Sequence, residues 1–169
     1  ISIIVYTFFM KEFEFNDAEI TALKSLTAWR CKGKTHLKTK SLMCSGRKDG
    51  SDYDKSFEGH YMGIAGEFAV ARHLNGYFDV MPKPKGDKHS ADIIIGIDGK
   101  LRISVKTTKY SPPILKLNSL DEIEDATHLA LCHYQEPKLT IHWIKSKKKF
   151  LNNMYKKNFG YGERLCLGI

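Results

Sequence analysis

Apolar residues recur at helical spacing twice in the first half of the chain, then give way to strand-like alternation. Ile20, Leu23, Leu26 and Trp29 keep one stripe, and Asn16 followed by Glu19 has the form of a capping box. The spacing predicts a helix from Asp17 to about Arg30. Thr35 through Asp52 is polar, basic and dotted with glycine, which reads as a long loop, either an arm that orders on nucleic acid or plain disorder. From Asp54 the helical pattern returns, with Phe57, Tyr61, Ile64, Phe68 and Ala71 on one side and Asn75-Gly76 as its stop. Gly63 and Gly66 inside that helix each cost up to about 1 kcal/mol against alanine. Their presence predicts close approach of a neighbouring strand.

Strand signals follow. Tyr77 to Met81 reads as a short strand and Pro82 to Lys88 as a loop. Ala91 to Ile97 and Lys100 to Lys109, joined by Asp98-Gly99, predict a β-hairpin that Pro112-Pro113 ends. Asn118 to Asp125 is a short acidic helix or turn, and Thr127 to Tyr134 and Leu139 to Ile144 are two more strands. Ser146 opens a basic helix through about Lys157, and Phe159-Gly160-Tyr161-Gly162 lies in the closing tail. No repeat or linker divides the chain. The expected fold is α/β, a central mixed β-sheet flanked by helices. Residues 57–169 form its core, with an N-terminal helix and basic loop (1–56) appended in one structural domain.

Length and composition leave this picture intact: 169 residues suffice for one domain with a real core, and 42% apolar content argues against disorder. The net charge of +8 adds something, because it is segregated. Arg30 to Lys55 holds eight basic and three acidic residues, and Lys138 to Arg164 holds eight and one. Between them, Ser111 to Pro137 sets five acids against Lys116 alone. Segregated positive charge suits a polyanion, since neutralising phosphates releases counterions; a solvated lysine-rich surface fits the same count.

The four cysteines form no C-x-x-C pair, so a zinc ribbon or redox motif is unsupported, and the spacing of Cys31, His36 and Cys44 matches no zinc pattern. Cys132, in an apolar strand, reads as core. Free thiols suit a reducing cytoplasm. The apolar residues 1–9 are too short to span a bilayer; they read as an extra edge strand or as sequence upstream of a natural start at Met10. No other stretch reads as a membrane span.

The chemistry lies in the hairpin. Alternation puts Arg102, Ser104, Lys106 and Thr108 on one face of its second strand and Leu101, Ile103, Val105 and Thr107 on the other. Asp92 begins the run Ile93-Ile94-Ile95 on the partner strand. A carboxylate there is expensive unless paired or metal-bound, so Asp92 is either the partner of Lys106 in a structural ion pair or a metal ligand. Phosphodiester hydrolysis needs a hydroxide nucleophile and charge neutralisation at phosphorus, which Mg2+ or Mn2+ on carboxylates supplies. In that chemistry Asp92 is the bridging ligand and Glu67 a second ligand or water-orienting base. Lys106 steers the water and stabilises the transition state.

The ordered set Gly66-Glu67-Phe68-Ala69-Val70-Ala71, Ala91-Asp92-Ile93, Ser104-Val105-Lys106-Thr107-Thr108 and Ile141-His142-Trp143-Ile144-Lys145 resembles the PD-(D/E)XK nuclease superfamily, the restriction-endonuclease-like fold. The resemblance spans about Phe57 to Phe150. It implies a metal-dependent endonuclease, with DNA as the partner and a homodimer compatible with two cuts on a duplex. The family pattern has Glu or Asp where Ser104 stands. Superfamily members with S-x-K recruit an acid from a neighbouring helix, a part open to Glu67; the alternative is a site that binds nucleic acid without cutting. Lys109, Arg102 and the run Lys145, Lys147, Lys148 and Lys149 are the candidate phosphate contacts, the last at a helix start whose amides can hold an anion. Asp87 and His89 are weaker candidates for touching a metal-bound water, and Trp143 reads as core. No P-loop, dinucleotide fingerprint or G-x-S-x-G elbow is present.

Overall fold

A computed structural model describes residues 10–35, 52–78, 91–96, 99–160 and 162–168, with side chains left out for 31–35 and 52–56. The readings placed on residues 1–9, 36–51, 79–90 and 97–98, together with the candidate ligands Cys31, His36 and Cys44 and the pair Asp87 and His89, lie outside the described side chains.

Two helices form where the pattern puts them. α1 runs Asp17–Thr35 behind a reciprocal cap: Asn16 N–H donates to Glu19 Oε2 at 3.0 Å and Glu19 N–H to Asn16 Oδ1 at 2.9 Å. α2 runs Asp52–Leu74. It stops at Asn75, whose φ of 51° is left-handed, and Gly76 N–H reaches back to the Ala71 carbonyl at 2.8 Å. A boundary at residue 56 thus falls inside α2.

The strands are β1 (Lys11–Glu14), β2 (Tyr77–Phe78), β3 (Ile93–Ile95), β4 (Leu101–Thr108), β5 (Ile114–Leu117), β6 (His128–Gln135), β7 (Lys138–Ser146), β8 (Tyr155–Asn158) and β9 (Glu163–Gly168). Six of them make one sheet in the order β1-β7-β6-β4-β3-β2, and β5-β9-β8 make a second. β4 and β6 are parallel, while the other pairs are antiparallel. The crossover between β4 and β6 holds a 3-10 turn, Leu120–Ile123, in the acidic stretch, and also β5, a strand the alternation does not predict. The basic helix α3 (Lys147–Asn153) is about two thirds of its expected length, since the chain from Tyr155 turns into β8.

Two apolar clusters cover the two faces of the six-stranded sheet. α2 packs on the side of Ile103 and Val105 with Ala65, Ala69, Ile93, Ala130 and Cys132, and α1 adds Leu23 beside Phe15. On the other side Leu129, Leu131 and Trp143 meet Leu115 and Leu117 of β5, Leu167 of β9, Ile123 and Phe150 of α3. Cys132 and Trp143 are therefore core, as their patterns suggest. Gly66 has the predicted reason to be glycine: a Cβ there would run into Thr107 Oγ1 and crowd Val105. Gly63 has none, because nothing among the described residues lies within 4 Å of the position its Cβ would take.

Candidate active site on the hairpin

β3 and β4 pair as Ile93↔Ile103, which sets Asp92 opposite Ser104 one step further on. There the ladder changes. Asp92 N–H still donates to the Ile103 carbonyl at 2.9 Å, but Val105 N–H is taken by the Asp92 side chain, at 2.7 Å to Oδ2. The Ser104 hydroxyl donates to the same oxygen at 3.4 Å. These donors offset the cost of holding a half-buried carboxylate at the edge of an apolar run.

Register fixes the faces. Ser104 pairs with Leu129 and Lys106 with Leu131, and both leucines belong to the cluster remote from α2. Side chains at partnered positions share a face, so Asp92, Ser104 and Lys106 lie together on that side. Lys106 Nζ donates to Glu122 Oε2 at 2.9 Å, with the two side chains 30% and 27% exposed. Among the described residues Lys106 therefore pairs with Glu122, and not with Asp92 as the structural alternative for that carboxylate had it. Glu122 also accepts from Asn118 N–H at 2.8 Å. Burial pushes the Glu122 carboxyl up, but the Lys106 charge and these hydrogen bonds outweigh it and leave it below its ordinary value.

Glu67 is placed elsewhere. It sits in the helix layer, one residue beyond the glycine that touches Val105 and Thr107, and Arg30 of α1 donates to it at 3.1 Å. Both side chains are nearly buried, at 15% and 16% exposure. The sheet lies between that layer and Lys106, so the structure does not gather Glu67 with Ser104 and Lys106. The acid beside Lys106 is Glu122, which spacing could not reveal, because a 3-10 turn sixteen residues on meets β4 only in the tertiary fold. Its one sequence signal is membership of the net acidic stretch.

The donor set bears on the expected metal. Among the described residues no three His, Cys, Asp or Glu side chains form a group able to hold an ion. Asp92 with the Ser104 hydroxyl is a smaller set, and Mg2+ accepts one or two carboxylates when water and substrate phosphates complete its shell. These residues fit an ion that arrives with its substrate rather than one held in a protein cage.

The candidate phosphate contacts divide as well. Arg102 is tied to Asp125, Nε to the carbonyl at 3.1 Å and a guanidinium nitrogen to Oδ2 at 3.5 Å. Lys147 Nζ donates to the Ile123 and Glu124 carbonyls at 2.9 and 2.8 Å, closing the end of the 3-10 turn. Two amides of the expected anion cradle at α3 are engaged internally: Lys147 N–H donates to Thr127 O and Lys149 N–H to Ser146 Oγ. Lys109 pairs with Glu58 at the surface, Lys145 Nζ lies 4.6 Å from the Trp143 ring centroid, and Lys148 and Lys149 are exposed.

No family model, curated protein or solved structure matches this chain. Among the described residues no helix is long and apolar enough to cross a membrane.

Proposed function

We propose that this protein is a divalent-metal-dependent phosphodiesterase acting on nucleic acid, with DNA the substrate that the PD-(D/E)XK resemblance favours. The observation that carries the reading is the grouping of Asp92, Ser104 and Lys106 on one face of two adjacent strands, with Asp92 Oδ2 3.4 Å from the Ser104 hydroxyl. A strand running directly into a helix, β7 into α3, adds to the likeness.

Asp92 and Ser104 would hold Mg2+ or Mn2+, which supplies a hydroxide nucleophile and neutralises phosphate charge when bound. Lys106 offsets the negative charge that grows on the phosphate oxygens in the transition state. Glu122 aims that ammonium and keeps it from collapsing onto Asp92. Glu67 has a positioning part, tethering α1 to α2 through Arg30. Incubation of plasmid, linear duplex, single-stranded DNA and RNA with and without Mg2+ tests the reading. Metal-dependent cleavage that Asp92→Asn abolishes is expected; equal cleavage by that variant would sink it.

One observation favours a second reading. The Lys106–Glu122 pair and the neutral Ser104 leave a site with little uncompensated negative charge, as in a protein that binds nucleic acid without cutting. Calorimetry separates the two: a binding-only protein takes up nucleic acid but adds no heat with Mg2+ or Mn2+ beyond that of the nucleic acid alone.

A further inference from the structure

The second sheet turns one face to the core and the other outward, and the two differ sharply in chemistry. Leu115 and Leu117 of β5 pair with Leu167 and Leu165 of β9 on the inner face. The alternate positions form the outer face, where Lys116 partners Cys166, which partners Tyr155, and Arg164 partners Lys157. Lys116, Lys157 and Arg164 are thus three cations on one small sheet. The three strands place no acid among them, because Glu163 has the opposite parity and pairs with Lys156 at 3.1 Å.

Aromatic rings alternate with these charges. Lys116 Nζ lies 4.1 Å from the Tyr110 ring centroid and 4.0 Å from that of Phe159, and Lys157 Nζ lies 5.4 Å from Phe159. Tyr110 is 57% exposed and Tyr155 44% exposed, so both rings are within reach of a ligand on this side. Cys166 shares this face and is fully buried; burial raises its thiol pKa, and the charges of Lys116 and Lys157 oppose the rise.

We propose that this outer face of β5, β9 and β8 is a platform for a single nucleic-acid strand. The cations meet the phosphates, and the exposed rings of Tyr110 and Tyr155 offer π-faces to unpaired bases, the combination that binds single strands with little sequence preference. A duplex keeps its bases stacked away from such rings and gains only from the charges. The platform rests on the nucleic-acid reading above and extends it, since Tyr110 stands four residues after Lys106 and the lysine-bearing strand runs straight into it.

Fluorescence anisotropy with a labelled oligo-dT of about 20 nucleotides and a duplex of equal length, over a range of salt, tests this on the full chain. The unaltered protein is expected to prefer the single strand. K157Q/R164Q should weaken that binding and flatten its log-log salt slope by about 1.4, at about 0.7 per phosphate contact. Y110A/Y155A should weaken it about tenfold or more with the slope unchanged, because stacking carries no counterion release. Circular dichroism checks that both variants are folded, and K11Q/K138Q on β1 and β7, two exposed lysines of the other sheet, serves as a charge-matched control. Binding by the unaltered protein that both platform variants retain in full, or a preference for duplex, overturns the platform and leaves the nucleic-acid reading standing. No binding to either probe overturns both.

Discussion

The helix-covered face of the six-stranded sheet and the face opposite it each carry an ion pair, in different surroundings. Arg30–Glu67 joins two helices at 15% and 16% exposure, on the side where the buried hydroxyls of Tyr61 and Tyr134 share a hydrogen bond of 2.8 Å. Lys106–Glu122 joins a strand to a turn at 30% and 27% exposure, on the side that Asp92 and the Ser104 hydroxyl also face. A charge walled in by helices has nowhere to move and serves the fold. A charge that water reaches, on a lysine that can exchange one anion for another, is able to meet a phosphate. Burial, more than the identity of the acid, separates the pair enclosed by helices from the pair that water reaches.

The largest expected effect sharpens that contrast. Lys106→Met should lower metal-dependent cleavage about 10³-fold, the scale on which one preorganised charge acts in a transition state. Glu67→Ala should leave the cleavage rate of the folded protein within a fewfold of normal, measured at a temperature where the variant is intact. A loss of cleavage in Glu67→Ala as deep as that in Lys106→Met would put Glu67 back at the metal and break the division between the faces.

How much of this the sequence discloses depends on how local each feature is. The reciprocal cap of Asn16 and Glu19 and the left-handed Asn75 are decided within four residues, and both form where the pattern predicts them. Alternation in β4 assigns Ser104 and Lys106 to one side, and the register agrees. What alternation cannot say is which side α2 takes, and that is set by Gly66 fitting against Val105 and Thr107. Glu67 follows Gly66 into the helix layer as a result. β8 is hidden for another reason: all four of its residues are exposed, so no apolar period marks it, and its lysines read as the continuation of α3. β5 carries Leu115 and Leu117 at strand spacing, but Pro113 before it and the acidic stretch after it have the signature of a loop.

The next effect is thermodynamic and runs the other way. Removing one partner of a nearly buried pair takes a charge-assisted hydrogen bond from a group that water hardly reaches. Glu67→Ala should therefore cost about 3 kcal/mol in urea unfolding. Glu122→Ala should cost about 1 kcal/mol, since Lys106 can turn its ammonium to solvent, discounted as such pairs are when water reaches them. Equal costs for the two variants would show that exposure does not separate the pairs.

The smallest effect is a pH dependence of that second pair, with its sign fixed by Glu122. Its folded pKa lies below the ordinary carboxyl value because Lys106 and Asn118 outweigh the desolvation that raises it. Folding therefore favours the ionised form, so the contribution is fully present above the unfolded pKa and is lost as pH falls through the folded one. Urea unfolding of the unaltered protein and of Glu122→Gln at about pH 6 and about pH 3 reads this directly. The gap between the two proteins should narrow in acid, because the neutral amide of the Glu122→Gln variant has no proton to take up there. A gap that widens in acid would mean that desolvation dominates at Glu122. Lys106 would then be held by geometry alone, and the more exposed pair would behave like its buried counterpart across the sheet.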